Sequence, residues 1–331
     1  MVVEFEQYVK KIMPRPIKER LKKSPFFQKI INKIRKKDLR LNSETYQKLL
    51  EQEAKEWSSF DREKLKDEWC SHLEVSKYIN FLCSGSPYEA WWDYLKKEYN
   101  HFEKAASLGA GDLTVEEILL VKDLCGQIDC FDIAEEAMKK GKENSRFPDK
   151  LNIHVTDCNF IELPPNHYDF ILVHHAFHHL QNLEHVADEI KKSLKPGGIF
   201  ALNDFIGESY FQWSDEKIKL ANEIIKSFPD IDGDPNFKSP CVRPSLSELK
   251  NFSPFEAIRS QEILDVLKKR FTCIKQVKYG GLLYVTIQGK ASKFKDIPEM
   301  NSFIRLLCVI DSLCEKLGLL QAFTFSIYKK V

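Results

Sequence analysis

The chain has 331 residues, 43% of them hydrophobic and 30% charged, which is enough apolar material for a sizeable core and the balance of an ordinary water-exposed protein. A formal net charge of +1 excludes a general polyanion binder, and nine cysteines without a CxxC pair exclude a zinc-finger or disulfide framework. With no apolar run of membrane-spanning length and no signal-like start, the expectation is a cytoplasmic protein in a reducing compartment.

In chain order, residues 1–40 come first, with 13 Lys/Arg against 4 Asp/Glu, so the remainder is acidic overall. The stretch KKIMPRPIKERLKKSPFFQKIINKIRKK spaces apolar residues at roughly helical intervals, and Pro14, Pro16 and Pro25 break it into short pieces. Two readings stand: a solvated helical extension, or a peripheral contact with an anionic membrane or acidic partner through the cations around Phe26, Phe27, Ile30 and Ile31. Residues 43–98 continue in a helical pattern and close on SPYEAWWDYLKKEY, whose aromatics read as core. The basic helical extension is placed at 1–75.

The period then changes. Segments 104–108, 127–131, 153–156, 168–173 and 199–203 are short, apolar and strand-like, and helical stretches 114–123, 134–143 and 183–195 lie between them. That alternation predicts βαβ units and a parallel sheet, an α/β class. Residues 205–252 break the order with aromatics, acids and prolines. A helix over 256–269 follows, then two strands, 272–279 and 282–288, across a glycine pair, and a final amphipathic helix over 300–320. The domains expected are a catalytic domain over 76–290, an insertion over 205–270 within it, and a helical C-terminal segment over 291–331.

Chemistry gathers where strands end. ASLGAGDLTVEEILL, 106–120, runs strand, glycine turn, helix, and Gly109 and Gly111 let the backbone turn sharply and approach a ligand closely. The third glycine of GxGxxG would fall at Thr114, against a dinucleotide, and no GK[ST] follows for a triphosphate. Asp132 stands 21 residues after Gly111, where a second parallel strand ends; its carboxylate either holds a ribose diol or caps the next helix. Asp157, with Cys158 and Asn159, closes a third strand at the same edge or serves as a turn residue.

HHAFHHL, 174–180, places His174 with His178 and His175 with His179 four apart, a metal-like spacing on a helix. Here the run straddles a strand end and a helix entrance, so pocket lining is expected ahead of a metal site. His174 or His175 could take a proton near neutral pH. LKPGGIF, 194–200, closes the pattern.

LGAG, Asp132, Asp157, YDFILVHHAFHHL and LKPGG together resemble a class I S-adenosylmethionine-dependent methyltransferase, over about 102–205 and again near 271–288. The resemblance implies a Rossmann-like seven-stranded sheet with an antiparallel last strand and S-adenosyl-L-methionine at the carboxyl ends of the first strands. It implies cofactor contacts at Leu108, Gly109, Ala110, Gly111, Asp132, Ile133, Asp157, Cys158, Asn159 and His174. Two positions depart from the family: Ser107 stands where an acid is common, and Leu113 where a third glycine is usual.

Catalytic candidates are His174, His175 and Asp204, and acceptor-binding candidates are His178, Tyr210, Gln212, Trp213 and Arg259. The aromatic helix at Trp91 and Trp92 and the segment 205–260 are the candidate lids. The expected reaction is O-methylation of a small molecule or glycan. The QW segment, SPFEAIRS and YGGLL more loosely resemble bacterial methyltransferases encoded beside polysaccharide assembly genes. Competing readings are a catalytically silent cofactor-binding protein and a small-molecule N- or phenol O-methyltransferase. With no basic stripe and no NPPY-type motif, nucleic acid is not an expected partner.

Overall fold

Two compact units make up the chain, Met1–Glu53 and Ala54–Val331. The computed structural model describes residues 43–59, 62–230, 234 and 237–330. The cationic stretch 1–40 and its expected membrane contact lie outside them. Within the first unit the described residues belong to helix α1, Ser43–Ser58, which opens on a Glu44–Lys48 ion pair.

The second unit is built on a sheet of seven strands: β1 Phe102–Leu108, β2 Cys125–Asp132, β3 Leu151–Val155, β4 Tyr168–His174, β5 Leu194–Phe205, β6 Phe271–Tyr279 and β7 Phe323–Lys330. Their order is β3-β2-β1-β4-β5-β7-β6. The first five pair in parallel, while β7 runs antiparallel to both β5 and β6. This is the Rossmann-like seven-stranded sheet of class I methyltransferases.

Successive strand residues point to opposite faces, so each central strand feeds two cores. On one face Ala105, Phe170, Leu172, Ile199 and Ala201 join Trp91 and Leu95 of helix α2, Trp91–Tyr99, and Leu119 and Leu120 of helix α3, Thr114–Val121. On the other, Ala106, Ile171, Val173, Phe200 and Leu202 meet Val186, Ala187 and Ile190 of helix α4, Leu183–Ser193, and Ile263 and Leu267 of helix α5, Ile263–Lys268. Burial on both faces explains why these strands read as continuous apolar runs.

Three expectations about elements change. Residues 282–288 are not a strand: Leu283–Ile287 is a short helix, α6. An all-round apolar run does not distinguish a buried strand from a buried helix by period. What decides here is Asp311, whose carboxylate accepts from the N–H groups of Gly280, Leu282 and Leu283 at 2.9, 2.7 and 3.2 Å and so satisfies the start of the turn. The strand that closes the sheet is FTFSIYKK, β7, beyond the predicted C-terminal helix, which runs as α7, Pro298–Lys316. The helix expected over 256–269 is confined to a 3₁₀ turn at Ser260–Glu262 and α5.

Between β5 and β6 the insertion carries helix α8, Asp215–Lys226, capped by the Ser214 hydroxyl, and helix α9, Leu246–Phe252, opened by a capping box between Ser245 and Glu248. Among the described residues no helix is long and apolar enough to cross a membrane.

Candidate cofactor and acceptor site

The carboxyl edge of β1, β2, β3 and β4 is where the expected cofactor residues meet. At the β1 turn, Gly109 has φ +73, and a Cβ there would come within 2.2 Å of Ala176 Cβ, so only glycine lets the histidine loop press onto this turn. The N–H groups of Gly109 and Ala110 donate to Phe131 O at 2.8 and 3.2 Å. The Asp132 carboxylate accepts from Gly111 N at 2.8 Å and from Ala134 N at 2.7 Å, tying the glycine turn to the end of β2. Burial raises the Asp132 carboxyl, against the backbone donors of Ala134 and Gly111 that lower it. Each carboxylate oxygen keeps acceptor capacity beyond these two bonds. A Cβ added at Gly111 would meet nothing within 4 Å. Open space above the turn beside an acidic acceptor fits an adenosyl ribose, with Asp132 as the group that would hold it.

Leu108 is buried in the core, so only its backbone borders this turn, and Ile133 contributes through a carbonyl that accepts from Glu135 N at 3.0 Å. Leu113, at the usual third-glycine position, adopts φ +63 with its side chain buried. Ser107 is itself paired with a buried carboxylate. Glu116, in the first turn of α3, is 2% exposed and accepts from Ser107 Oγ at 2.5 Å. Burial pushes its carboxyl up to about 7, and its second oxygen has no partner among the described residues. Glu116 is not among the residues the sequence singles out; its signal is an acid in the first turn of the helix that follows the glycine turn.

Asp157 caps its own turn, accepting from Asn159 N at 2.9 Å and Asn159 Nδ2 at 3.1 Å. Asn159 in turn braces two loops: its side-chain oxygen accepts from Gln181 N at 2.8 Å and Asn182 N at 3.0 Å. Cys158 is buried beneath them, and burial pushes its thiol up, so it packs rather than reacts.

His174 ends β4. Its Nδ1 lies 3.2 Å from Asn203 Nδ2, Asn203 Oδ1 accepts from Tyr279 OH at 2.6 Å, and its ring lies 5.6 Å from that of Trp91. His175 has φ +51 and donates its N–H to Asn203 O at 2.8 Å. Its ring keeps accessible surface although protein surrounds it; that surrounding lowers its pKa to about 4, leaving a neutral imidazole at neutral pH. Burial likewise lowers the His174 pKa.

Asp204 was a candidate base, and the structure employs it otherwise. It is fully buried and accepts from Ala176 N at 3.0 Å, Phe177 N at 2.6 Å and His178 Nδ1 at 2.5 Å, so it anchors the histidine loop. Burial opposes its charge, and His178 and the loop N–H groups outweigh it, holding the carboxyl below its usual range. His178, expected at the acceptor, is buried with Nε2 3.3 Å from Glu256 Oε1.

Among the other acceptor candidates, Arg259 donates to Glu184 twice at 2.8 Å, to Glu262 at 3.1 and 2.7 Å and to Gln181 O at 2.7 Å. All five guanidinium donors are thereby spent, which leaves none for an anionic acceptor. Gln212 donates to the carbonyls of Tyr210 and Pro244 and closes a local turn. Tyr210 has φ +56 and lies under the Lys250 ammonium. Trp213 alone among them joins an aromatic wall. Its ring is 6.2 Å from Tyr284 and 6.0 Å from Phe211, and its buried indole nitrogen has no partner among the described residues. Phe323 and Phe205 extend the wall at 5.3 Å from one another, and Phe323 lies 5.6 Å from His175. Tyr284 and Phe323 escaped the sequence reading because they lie in the misassigned terminal elements.

Sheet order and the convergent edge have the form of a class I methyltransferase fold, the kind whose cofactor is S-adenosylmethionine. Comparison agrees. Residues 107–202 match the family described as "Methyltransferase domain". The chain is similar to malonyl-[acyl-carrier protein] O-methyltransferase 2 of Ilyobacter polytropus, 26% identical over 170 residues, which cover 50% of this chain and 59% of that protein. Among solved structures it resembles geranyl diphosphate C-methyltransferase from Streptomyces coelicolor A3(2), with a TM-score of 0.47 and 9% identity over 73% of this chain and 79% of that one. It also resembles the N-methyltransferase NodS from Bradyrhizobium japonicum WM9, with a TM-score of 0.42 and 10% identity over 72% of this chain and 84% of that one.

Proposed function

We propose that the chain is an S-adenosylmethionine-dependent methyltransferase that methylates an oxygen, on a small molecule or a glycan, beside His175. The observation that carries this reading is the convergence of the Gly109–Gly111 turn, Asp132 and the Asn159 brace on one sheet edge, with His175 and an aromatic wall next to it. S-adenosylmethionine, when bound, supplies a methyl group already activated on a sulfonium. The protein then has three tasks: Asp132 holds the ribose, the aromatic cluster of Phe205, Phe323, Tyr284 and Trp213 excludes water behind the site, and His175 is the side chain placed to receive the acceptor hydroxyl proton.

An oxygen acceptor is also consistent with the O-methyltransferase of Ilyobacter polytropus, although only 59% of that protein is spanned. Calorimetry with S-adenosylhomocysteine followed by a labelled-methyl assay tests the proposal. The screen includes hydroxylated sugars, sugar nucleotides, phenols and carboxylates. Micromolar binding with label on an oxygen supports it. Binding with no transfer to any acceptor favours the silent reading, for which the departures at Ser107 and Leu113 speak.

A further inference from the structure

We infer that His178, His179 and Glu256 form a site for a zinc-class divalent cation, with Asp204 positioning His178 from behind. One donor atom from each of the three residues lies within 4.8 Å of the others. Both imidazoles turn Nε2 toward the same carboxylate, His178 at 3.3 Å from Oε1 and His179 at 3.6 Å from Oε2. Bond lengths near 2.1 Å to nitrogen and oxygen put neighbouring donors of a tetrahedral ion ~3.4 Å apart, so a set spanning 4.8 Å would have to draw in modestly to close on an ion.

The opposite side of His178 supports the same reading. Its Nδ1 faces Asp204 Oδ1 at 2.5 Å, the carboxylate–histidine arrangement that fixes the tautomer of a ligating imidazole and aims Nε2 at the ion. Asp204 is itself held by the N–H groups of Ala176 and Phe177, and His179 is held edge-on by the Trp57 ring at 5.2 Å. Glu256 arrives from SPFEAIRS, some eighty positions after the histidines, so the histidine run alone could not reveal the third donor.

Among the described residues three donors are available, so one position of a tetrahedral ion would be left for water or for an acceptor oxygen whose deprotonation the ion assists. That role rests on the methyl-transfer reading; the binding site does not. The test is a Zn²⁺ titration of the untagged full chain against a competing chelator, without cofactor, and Co²⁺ replacement followed by visible absorption. One equivalent of Zn²⁺ and a tetrahedral Co²⁺ spectrum are expected. His179→Gln and Glu256→Gln should each weaken binding at least ~100-fold, and Asp204→Asn by about 10–100-fold, with His101→Gln unchanged. Absence of stoichiometric Zn²⁺ binding or of the Co²⁺ spectrum in the unaltered chain overturns the site whether or not the variants fold, and so does wild-type affinity in both ligand variants. S-adenosylhomocysteine binding by chelator-treated protein tests the methyl-transfer reading separately.

Discussion

Around Asp132 the ties are short in sequence and mostly reach backbone: Asp132 holds Gly111 N across 21 positions, and Asn159 holds Gln181 N across 22. Around the histidine loop and the insertion they are long and join side chains: Arg259 to Glu184 across 75, Asn203 to Tyr279 across 76. The contrast separates two kinds of construction. The glycine turn and strand end are backbone geometry that can be built locally. On the proposed function, the acceptor would be met by side chains that the insertion and the last two strands bring together, where substitution could change specificity without disturbing the turn.

The largest effect expected breaks the first half alone. Asp132→Ala removes an acceptor positioned for the ribose, and hydrogen bonds to a charged group contribute about 1.5–3 kcal/mol each. Two of them predict a roughly 10²–10⁴-fold loss in S-adenosylhomocysteine affinity by calorimetry, with far-UV circular dichroism to confirm folding. An unchanged affinity would place the cofactor elsewhere.

Glu116 probes the same half through pH. Its folded-state carboxyl titrates at about 7 against an ordinary 4.5, because burial opposes its charge. Neutral Glu116 is therefore favoured in the fold: below pH 4.5 no penalty exists, it grows as pH rises, and it is complete above about 7. Glu116→Gln keeps the acceptor for Ser107 and removes the charge. The variant should match wild type near pH 4 and exceed it by on the order of 3 kcal/mol at pH 8, read by urea unfolding at both pH values. A gain that does not depend on pH would mean the carboxyl titrates normally.

The same division decided what could be read from sequence. Gly109, Asp132 and Asp157 were legible because a glycine turn and strand-end acids are local patterns with a fixed place in a βαβ order. Arg259 was not: its sequence context says "cation in an insertion", and only the fold shows Glu184 and Glu262 around it. Asp204 looked like a base for the same reason, since its neighbours in sequence do not disclose the loop N–H groups that occupy it. Residues 282–288 failed on physics rather than distance, an apolar run buried on every side having no period to read. Tyr284 and Phe323 were lost with that misreading, and the acceptor wall with them.

Trp213 carries the smallest effect and the clearest discrimination between the halves. Its indole is one side of the wall, and its buried N–H is unpartnered among the described residues, so an acceptor oxygen is the group that would satisfy it. Trp213→Phe keeps an aromatic face and removes that donor. If the N–H meets the acceptor, KM for the acceptor should rise several-fold, the worth of one neutral hydrogen bond at about 1 kcal/mol, while S-adenosylhomocysteine affinity stays put. If Trp213 only packs, removing an unpaired donor relieves the fold, so thermal stability should rise slightly with KM unmoved. The two outcomes differ in sign on different observables, so one variant assigns the residue to the acceptor or to the core.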